Sequence, residues 1–338
     1  MAYASPMNRA SYANQFDKEI AKMVYGKYAD YPKEFDKIAK ISNFPAGKTY
    51  TEAEISGLGG LRAMGEGEAI SYDVPAEGHK KSLSTIKYGL GFQRTEEMSA
   101  DELFQMSDKM SSSLSKSAVQ CAEQNFFNLF NSGWAAATTP VTAWDAVSVF
   151  SLTGVGHYTL KSNTKIVNGV AVDLSQPALE DAFEYFDQLV DEAGMPVIAR
   201  PTTLMVPVGL KWLANDLLKA TGRVWDYYNY GKGLVSDGSG TTATALYPQN
   251  GNSPLMNGLN PSNGVVDGWK IHVSRYLTDT NGWYLLSDQA DARFLWKKKP
   301  TMSSSSDFDT DNMLYKLVMR FAVGVFDYKG MYGSAGAS

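Results

Sequence analysis

The feature that most limits what this chain can become is an apolar stripe at helical spacing between Ser99 and Gly133. Leu103, Met106, Met110, Leu114, Ala118, Cys121, Phe126 and Leu129 mark it. Ser99 is a suitable N-cap and Gly133 a stop. A helix of about 30 residues runs about 45 Å, so the fold has to be laid out along it. Ser111, Ser112, Ser113, Ser115 and Ser117 line its other face. The stripe reads as core and not as a ligand set, and Cys121 on it reads as a small hydrophobe and not a reactive thiolate.

Upstream, Phe16, Ile20, Met23 and Val24 predict a short amphipathic helix between Asn14 and Lys27. From Tyr31 to Lys48 the signals are mixed and Pro45 and Gly47 break any element, so an extended arm is expected. Between Gly57 and Arg94 the pattern turns Gly-rich and alternating. Ala69–Val74 and Leu83–Tyr88, joined by a turn at Pro75–Gly78, predict a long two-stranded hairpin. An isolated ribbon is marginal in water, so its stability has to come from a neighbour.

Downstream, Leu179, Ala182, Phe183, Phe186, Leu189 and Val190 predict a helix over Gln176–Ala193, with Pro177 in its first turn and Gly194 at its end. Thr203–Val206 reads as a buried strand, and Pro207 opens a helix through Leu218. Asp226–Gly264, rich in Gly, Asn, Tyr and Ser, reads as a long surface loop. The end is all β: Trp269–Tyr276, Gly282–Ser287, Ala292–Lys297 and Met313–Tyr328, with Ser303–Ser306 expected as a mobile connection. No internal repeat is visible.

Length and charge exclude several classes. At 338 residues the chain exceeds what one core comfortably supports, so a large irregular domain or two interleaved lobes are expected. The net charge of −5, from 36 acids and 31 bases, is spread along the chain and leaves no basic tail for tight DNA binding. Cys121 is the single cysteine, and no Asn-x-Ser/Thr site lacks proline, so a reducing compartment fits. Met1–Ala10 has no apolar core of a signal peptide, and no window reaches the roughly 18 apolar residues of a membrane span. The whole chain is expected to be the mature, soluble protein.

The residues give no catalytic, cofactor or metal assignment. His79, His157 and His272 lie in separate segments without a second ligand at helical spacing. Asp307, Asp309 and Asp311 imitate a calcium loop, but Asn312 replaces the glycine and Val318 the glutamate. Gly65-Glu66-Gly67 and Gly231-Lys232-Gly233 each lack the residues a phosphate cradle needs. Ser113-Leu114-Ser115-Lys116 matches a serine–lysine pattern but falls mid-helix, with no Lys-Thr-Gly downstream. The short basic runs Lys80-Lys81 and Lys297-Lys298-Lys299 read as solvated or interface faces. An enzyme is not expected.

Taken in order, an arm, a projecting hairpin, a long helix, an α/β lobe and a terminal β region resemble the major capsid protein of tailed bacteriophages, of the Hong Kong 97-type fold. Within that family the resemblance is to the Mu-like head-subunit branch. The motifs carrying the resemblance are Gly57-Leu58-Gly59, Glu66-Gly67-Glu68 with Tyr72-Asp73, and Tyr88-Gly89-Leu90-Gly91-Phe92 running into Thr95-Glu96-Glu97. Leu204-Met205-Val206-Pro207 with Leu210 follows, then Trp283-Tyr284-Leu285-Leu286, Phe308-Asp309-Thr310, Met319-Arg320-Phe321 and Asp327 to Ser334. The similarity runs from about Ala39 to Ser334.

The resemblance implies an α+β fold with an N-terminal arm over 1–56 and an extended β-hairpin loop over 57–98. A peripheral domain with a spine helix follows over 99–172, then an axial domain over 173–291 and return strands of the peripheral domain over 292–338. It implies a homo-oligomer of hexameric and pentameric capsomers closing an icosahedral shell. A portal and a separate scaffolding protein, non-specifically contacted DNA and no membrane complete the partners. The expected location is the virion capsid, assembled in the host cytoplasm. Ile70, Tyr72, Leu83, Ile86, Lys80 and Lys81 are the candidate assembly contacts, and Gly57, Gly59, Gly60, Gly89 and Gly91 the candidate hinges between fivefold and sixfold environments. No motif carries over the lysine–asparagine cross-link of some relatives. An encapsulin-like cellular compartment is the alternative on the same fold. A hydrolase with a scattered triad and a repeat-built tail fibre find no support in the sequence.

Overall fold

The computed structural model describes residues 9–55, 57–70, 72–75, 77–95, 104–134, 142–143, 145–151, 163–164, 166–167, 170–191, 194–219, 268–307 and 312–336. In chain order the elements are α1 (Arg9–Asp30), a 3₁₀ turn (Phe35–Lys37), β1 (Lys40–Asn43), β2 (Thr49–Ile55), β3 (Glu77–Ser84), β4 (Ile86–Arg94) and α2 (Phe104–Asn131). Next come β5 (Ile166–Val167), β6 (Val170–Ala171), α3 (Gln176–Asp187), β7 (Pro201–Pro207), a second 3₁₀ turn (Val208–Leu210) and α4 (Lys211–Lys219). The chain closes with β8 (Lys270–Ser274), β9 (Trp283–Ser287), β10 (Ala292–Ser306), β11 (Met313–Val325) and β12 (Met331–Ser334). They form two units, one of residues 1–151 with 291–328, the other of 152–290 with 329–338.

In the first unit, α2 is the predicted long helix, and the stretch from its expected N-cap Ser99 to Leu103 lies outside the described residues. Its stripe of Leu114, Ala118, Phe126 and Leu129 is buried. The serine face holds a surprise for the sequence reading. Ser111 and Ser115 are fully buried, because small side chains there let α1 approach. The Ser115 hydroxyl hydrogen-bonds the carbonyls of Val24 at 3.0 Å and Ser111 at 2.8 Å. Lys27 pairs with Asp108, and Tyr31 and Ser112 share a hydrogen bond of 3.3 Å.

Beside these helices lies a sheet of order β1-β10-β11-β4, with β1 parallel to β10 and the other pairs antiparallel. Alternation along β11 buries Tyr315, Leu317, Met319 and Phe321. Aromatic rings cross the strands on that face: Phe35 stacks on Phe294 at 4.6 Å, Phe294 on Phe321 at 4.8 Å and Phe321 on Tyr88 at 4.7 Å. The Tyr88 hydroxyl donates to Asn125 of α2 at 2.8 Å, fixing this face as the helix side. Ser303–Ser306, expected to be mobile, instead extend β10, paired with Lys316, Tyr315, Leu314 and Met313.

The hairpin differs from expectation in register. Its strands are β2 and β3, paired from Thr49 with Ser84 to Ile55 with Glu77. Residues 69–74 are not a strand among the residues described there, and β4 leaves the hairpin to join β11. The arm region thus supplied the missing strand. Leu83 plugs the root of the hairpin, packing with Phe44, Leu295, Ala322 and Phe326. Gly324 makes room for it: a Cβ there would stand 2.7 Å from the Leu83 side chain.

The second unit has a sheet of order β12-β9-β7-β8, mixed in direction. Leu204 and Val206 of β7, Trp283 and Leu285 of β9, and Tyr332 of β12 form one core with Leu179, Ala182 and Phe186 of α3 and Leu217 and Leu218 of α4. Ser175 caps α3, accepting from the Ala178 amide at 3.4 Å, with Pro177 in the first turn as predicted. The helix ends at Asp187, short of the expected Ala193, and Gly194 (φ +77°) turns the chain beyond it. The predicted loop Asp226–Gly264 lies outside the described residues.

Candidate assembly interface

The loop that joins β2 to β3 carries a dense run of exposed apolar side chains. Among its described residues, 57–70 and 72–75 are exposed throughout. Tyr72 is 89% exposed, Val74 82% and Ile70 64%, with Leu58, Leu61 and Met64 also open to solvent. Its local structure includes carboxylate contacts: Asp73 accepts from the Gly59 amide at 2.8 Å and the Val74 amide at 2.9 Å, and Glu68 from the Gly65 amide at 2.9 Å.

The structure separates the candidate contacts into two groups. Ile70 and Tyr72 lie on the loop, Ile86 is 57% exposed on β4, and Lys80 is exposed on β3, 2.9 Å from Glu77. Leu83 and Lys81, each 3% exposed, are interior to the unit and leave the contact set. They point inward because β3 alternates and its inner positions cover the sheet. The candidate hinges divide likewise. Gly57, Gly59 and Gly60 are in the exposed loop, but Gly89 and Gly91 sit inside β4, opposite Val318 and Lys316. Ladder pairing removes the freedom a hinge needs, and a Cβ at Gly91 would come within 2.6 Å of the Tyr315 carbonyl oxygen.

A polar root fixes the hairpin to the sheet. The Lys81 ammonium donates to the backbone carbonyls of Thr142 and Val325. Burial pushes its pKa down to about 8, against the opposing pull of Asp145 and Asp291. Arg293 donates to Asp291 through Nε at 2.8 Å and Nη2 at 2.7 Å, and also pairs with Glu52 of β2. Its guanidinium lies 4.3 Å from the ring centre of Phe326. These contacts tie both hairpin strands to β10 and β11.

A second anchor holds the arm and was not anticipated. Glu123 of α2 is fully buried, and its carboxylate accepts from the amides of Glu34 at 2.6 Å and Phe35 at 3.1 Å, capping the first 3₁₀ turn. Burial pushes its pKa up to about 7, although those two amides act the other way, and Glu34 and Asp36 add to the rise. The signal was present in sequence as a charged residue at apolar spacing, between Val119 and Phe126.

Among the described residues, no three His, Cys, Asp or Glu side chains stand close enough to hold a metal ion. His157, Asp309 and Asp311 lie outside them. No helix among the described residues is long and apolar enough to cross a membrane.

An arm helix seated on a long helix, a rooted hairpin with an exposed apolar loop and a second α/β unit make up the described chain. The chain belongs to the phage capsid protein family, whose model matches residues 80–334. Its α+β fold is the Hong Kong 97-type fold. The capsid protein of Ralstonia phage GP4 is similar at a TM-score of 0.53 and 11% identity, covering 89% of this chain and 87% of that one. The capsid of cyanophage P-SCSP1u gives 0.51 at 10% identity, over 89% and 87%. The capsid of a native GTA particle gives 0.51 at 11% identity, over 90% of each chain. No curated protein matches the chain by sequence.

Proposed function

We propose that this chain is the major head subunit of a tailed phage, closing as hexameric and pentameric capsomers into an icosahedral shell around the genome. The observation that carries the reading is the 57–75 loop, whose Leu58, Leu61, Ile70, Tyr72 and Val74 are exposed on a firmly rooted hairpin. An apolar loop that its own chain leaves uncovered gains most by lying on a second copy, and closed symmetry lets every copy do so. Ile70, Tyr72, Ile86 and Lys80 are the contacts proposed for this role, with Gly57, Gly59 and Gly60 absorbing differences between local environments. A portal, a separate scaffolding protein and enclosed DNA held without sequence preference are its partners in this reading. Assembly takes place in the host cytoplasm and the product is the virion capsid.

The function is structural, and the chain has no catalytic role in this account. Purified protein, concentrated to the micromolar range and imaged by negative-stain electron microscopy, should show capsomers or closed shells. A strictly monomeric chain with an ordered hairpin under those conditions would reject the proposal.

A further inference from the structure

Polar contacts seat the arm along its length. The Val24 carbonyl accepts from Ser115 at 3.0 Å, Lys27 pairs with Asp108, and Tyr31 shares a hydrogen bond with Ser112. At the far end the Glu123 carboxylate accepts from the amides of Glu34 and Phe35. Ile20, Val24 and Phe35 add buried apolar surface. One more contact reaches the sheet. β1 covers the edge of β10 from Arg293 to Trp296. Past that point the Met302 amide of β10 donates to the Tyr25 hydroxyl at 2.9 Å, so α1 takes over part of the edge.

The Glu123 contact is the one whose strength depends on a proton. Its carboxyl is fully buried and, among the described residues, makes no ion pair. The groups facing it from the arm are Glu34, Asp36 and the Tyr28 phenol, each of which is negative when ionised. Lys33 acts on Asp36 and lies over the Tyr28 ring, 4.4 Å from its centre. The 3₁₀ turn also meets the rings of Phe126 and Phe294, which carry no charge. The two amides favour the ionised carboxylate, but burial opposes it more strongly and the acids add to that, which is why the docked group titrates near 7.

Undocking the arm returns Glu123 to water, where ionisation is cheap. Ionisation therefore favours the undocked arm and protonation the docked one. We infer that the arm is a strap closed by the proton on Glu123: when that carboxyl ionises, α1 and the 3₁₀ turn lift from α2 as a unit, while β1 and the sheet stay folded. Lifting uncovers the seat formed by Ser111 and Ser115 and frees the edge of β10 at Met302.

Thiol labelling of the full-length chain, kept as dispersed subunits, is the test. In a Cys121→Ser background, Ser115→Cys places a thiol under the arm. A separate chain carries Ala322→Cys in the core at the hairpin root. Circular dichroism melts establish that each variant folds. A pyridyl disulfide reports labelling between about pH 5 and 8, and each rate is divided by that of glutathione at the same pH. The Ser115→Cys ratio should rise at least about tenfold from pH 5 to 7 and level off above, because the docked group titrates near 7 and the free one near 4.5. Ala322→Cys should label more slowly at every pH. Adding Glu123→Gln, which stays neutral and still offers an oxygen to the amides, should hold the Ser115→Cys ratio near its acid value. Adding Glu34→Gln with Asp36→Asn should move the rise to lower pH.

A Ser115→Cys ratio that is flat with pH overturns the inference, as does a rise that survives Glu123→Gln. Equal ratios for the two thiols would mean that the whole unit opens, and would overturn it as well. Should Glu123→Gln not fold, the Glu34→Gln, Asp36→Asn pair decides: a rise at unchanged pH in that chain rejects the strap. Because dispersed subunits are measured, none of these results depends on whether shells form.

Discussion

Leu83 and Tyr72 were both candidate contacts on one hairpin, yet the structure buries the first and exposes the second, and truncating each to alanine separates a packing role from the proposed assembly role. Leu83 is 3% exposed and closes a small core with Phe44, Leu295, Ala322 and Phe326. Leu→Ala in a core costs about 2–5 kcal/mol, depending on how far the walls collapse. Here one wall is the backbone of Gly324, with no side chain to move inward, so about 3 kcal/mol is expected. For a unit of this size each kcal/mol shifts the midpoint by about 2–4 °C, giving a loss of roughly 6–12 °C. Tyr72 is 89% exposed, so Tyr72→Ala should change subunit stability by less than about 0.5 kcal/mol while reducing assembly. Calorimetry of dispersed subunits, paired with sedimentation of the assembled fraction, reads both quantities. An unchanged melt for Leu83→Ala, or a Tyr72→Ala subunit that melts as early, would refute the division of labour argued here.

Two further substitutions probe the anchors. Glu123 has its pKa raised from 4.5 to about 7, so the folded state holds a proton that the unfolded state has lost between those values. Its contribution is fully present below about pH 4.5 and is lost as pH rises through about 7; hydrogen exchange of α1 should accelerate over that window in the wild type and become flatter in Glu123→Gln. Lys81→Met strands the carbonyls of Thr142 and Val325 and should cost about 1–3 kcal/mol in thermal unfolding. In the wild type, the depressed Lys81 pKa of about 8 predicts a gain in stability as pH rises from there toward 10.5, a gain absent from the Met variant.

What the sequence made legible is what local physics determines. The stripe through Leu114, Ala118, Phe126 and Leu129 located the long helix, and Pro177 with its neighbours located the start of α3. The hairpin was misread because Ala69–Val74 alternates like a strand, while pairing is decided by partners far away in sequence. Thr49–Ile55 has the same alternation but sits in what looked like a structureless arm. Ser111 and Ser115 were placed on the polar face, since nothing local reveals that a second helix needs small residues there to approach. Ser303–Ser306 lacks any strand propensity of its own and is held extended by its ladder with β11.

For the candidate site, exposure could not be read from residue type alone. Ile70 and Leu83 are both apolar and close in sequence, but only their place relative to β10 and β11 leaves one exposed and makes the other a core residue. Lys87, Lys298 and Arg320 come from separate segments and stand side by side only through strand register. The arm-holding role of Glu123 needed the 3₁₀ turn at Phe35–Lys37 to be in place before it had meaning.

The central claim, that the loop builds shells and not the subunit, is tested most directly by sedimentation of a chain in which residues 58–74 are replaced by a short Gly-Ser linker, leaving β2 and β3 intact. The account predicts wild-type melting of the subunit and a profile confined to subunits and small capsomers. Closed shells of wild-type sedimentation from that chain would contradict it.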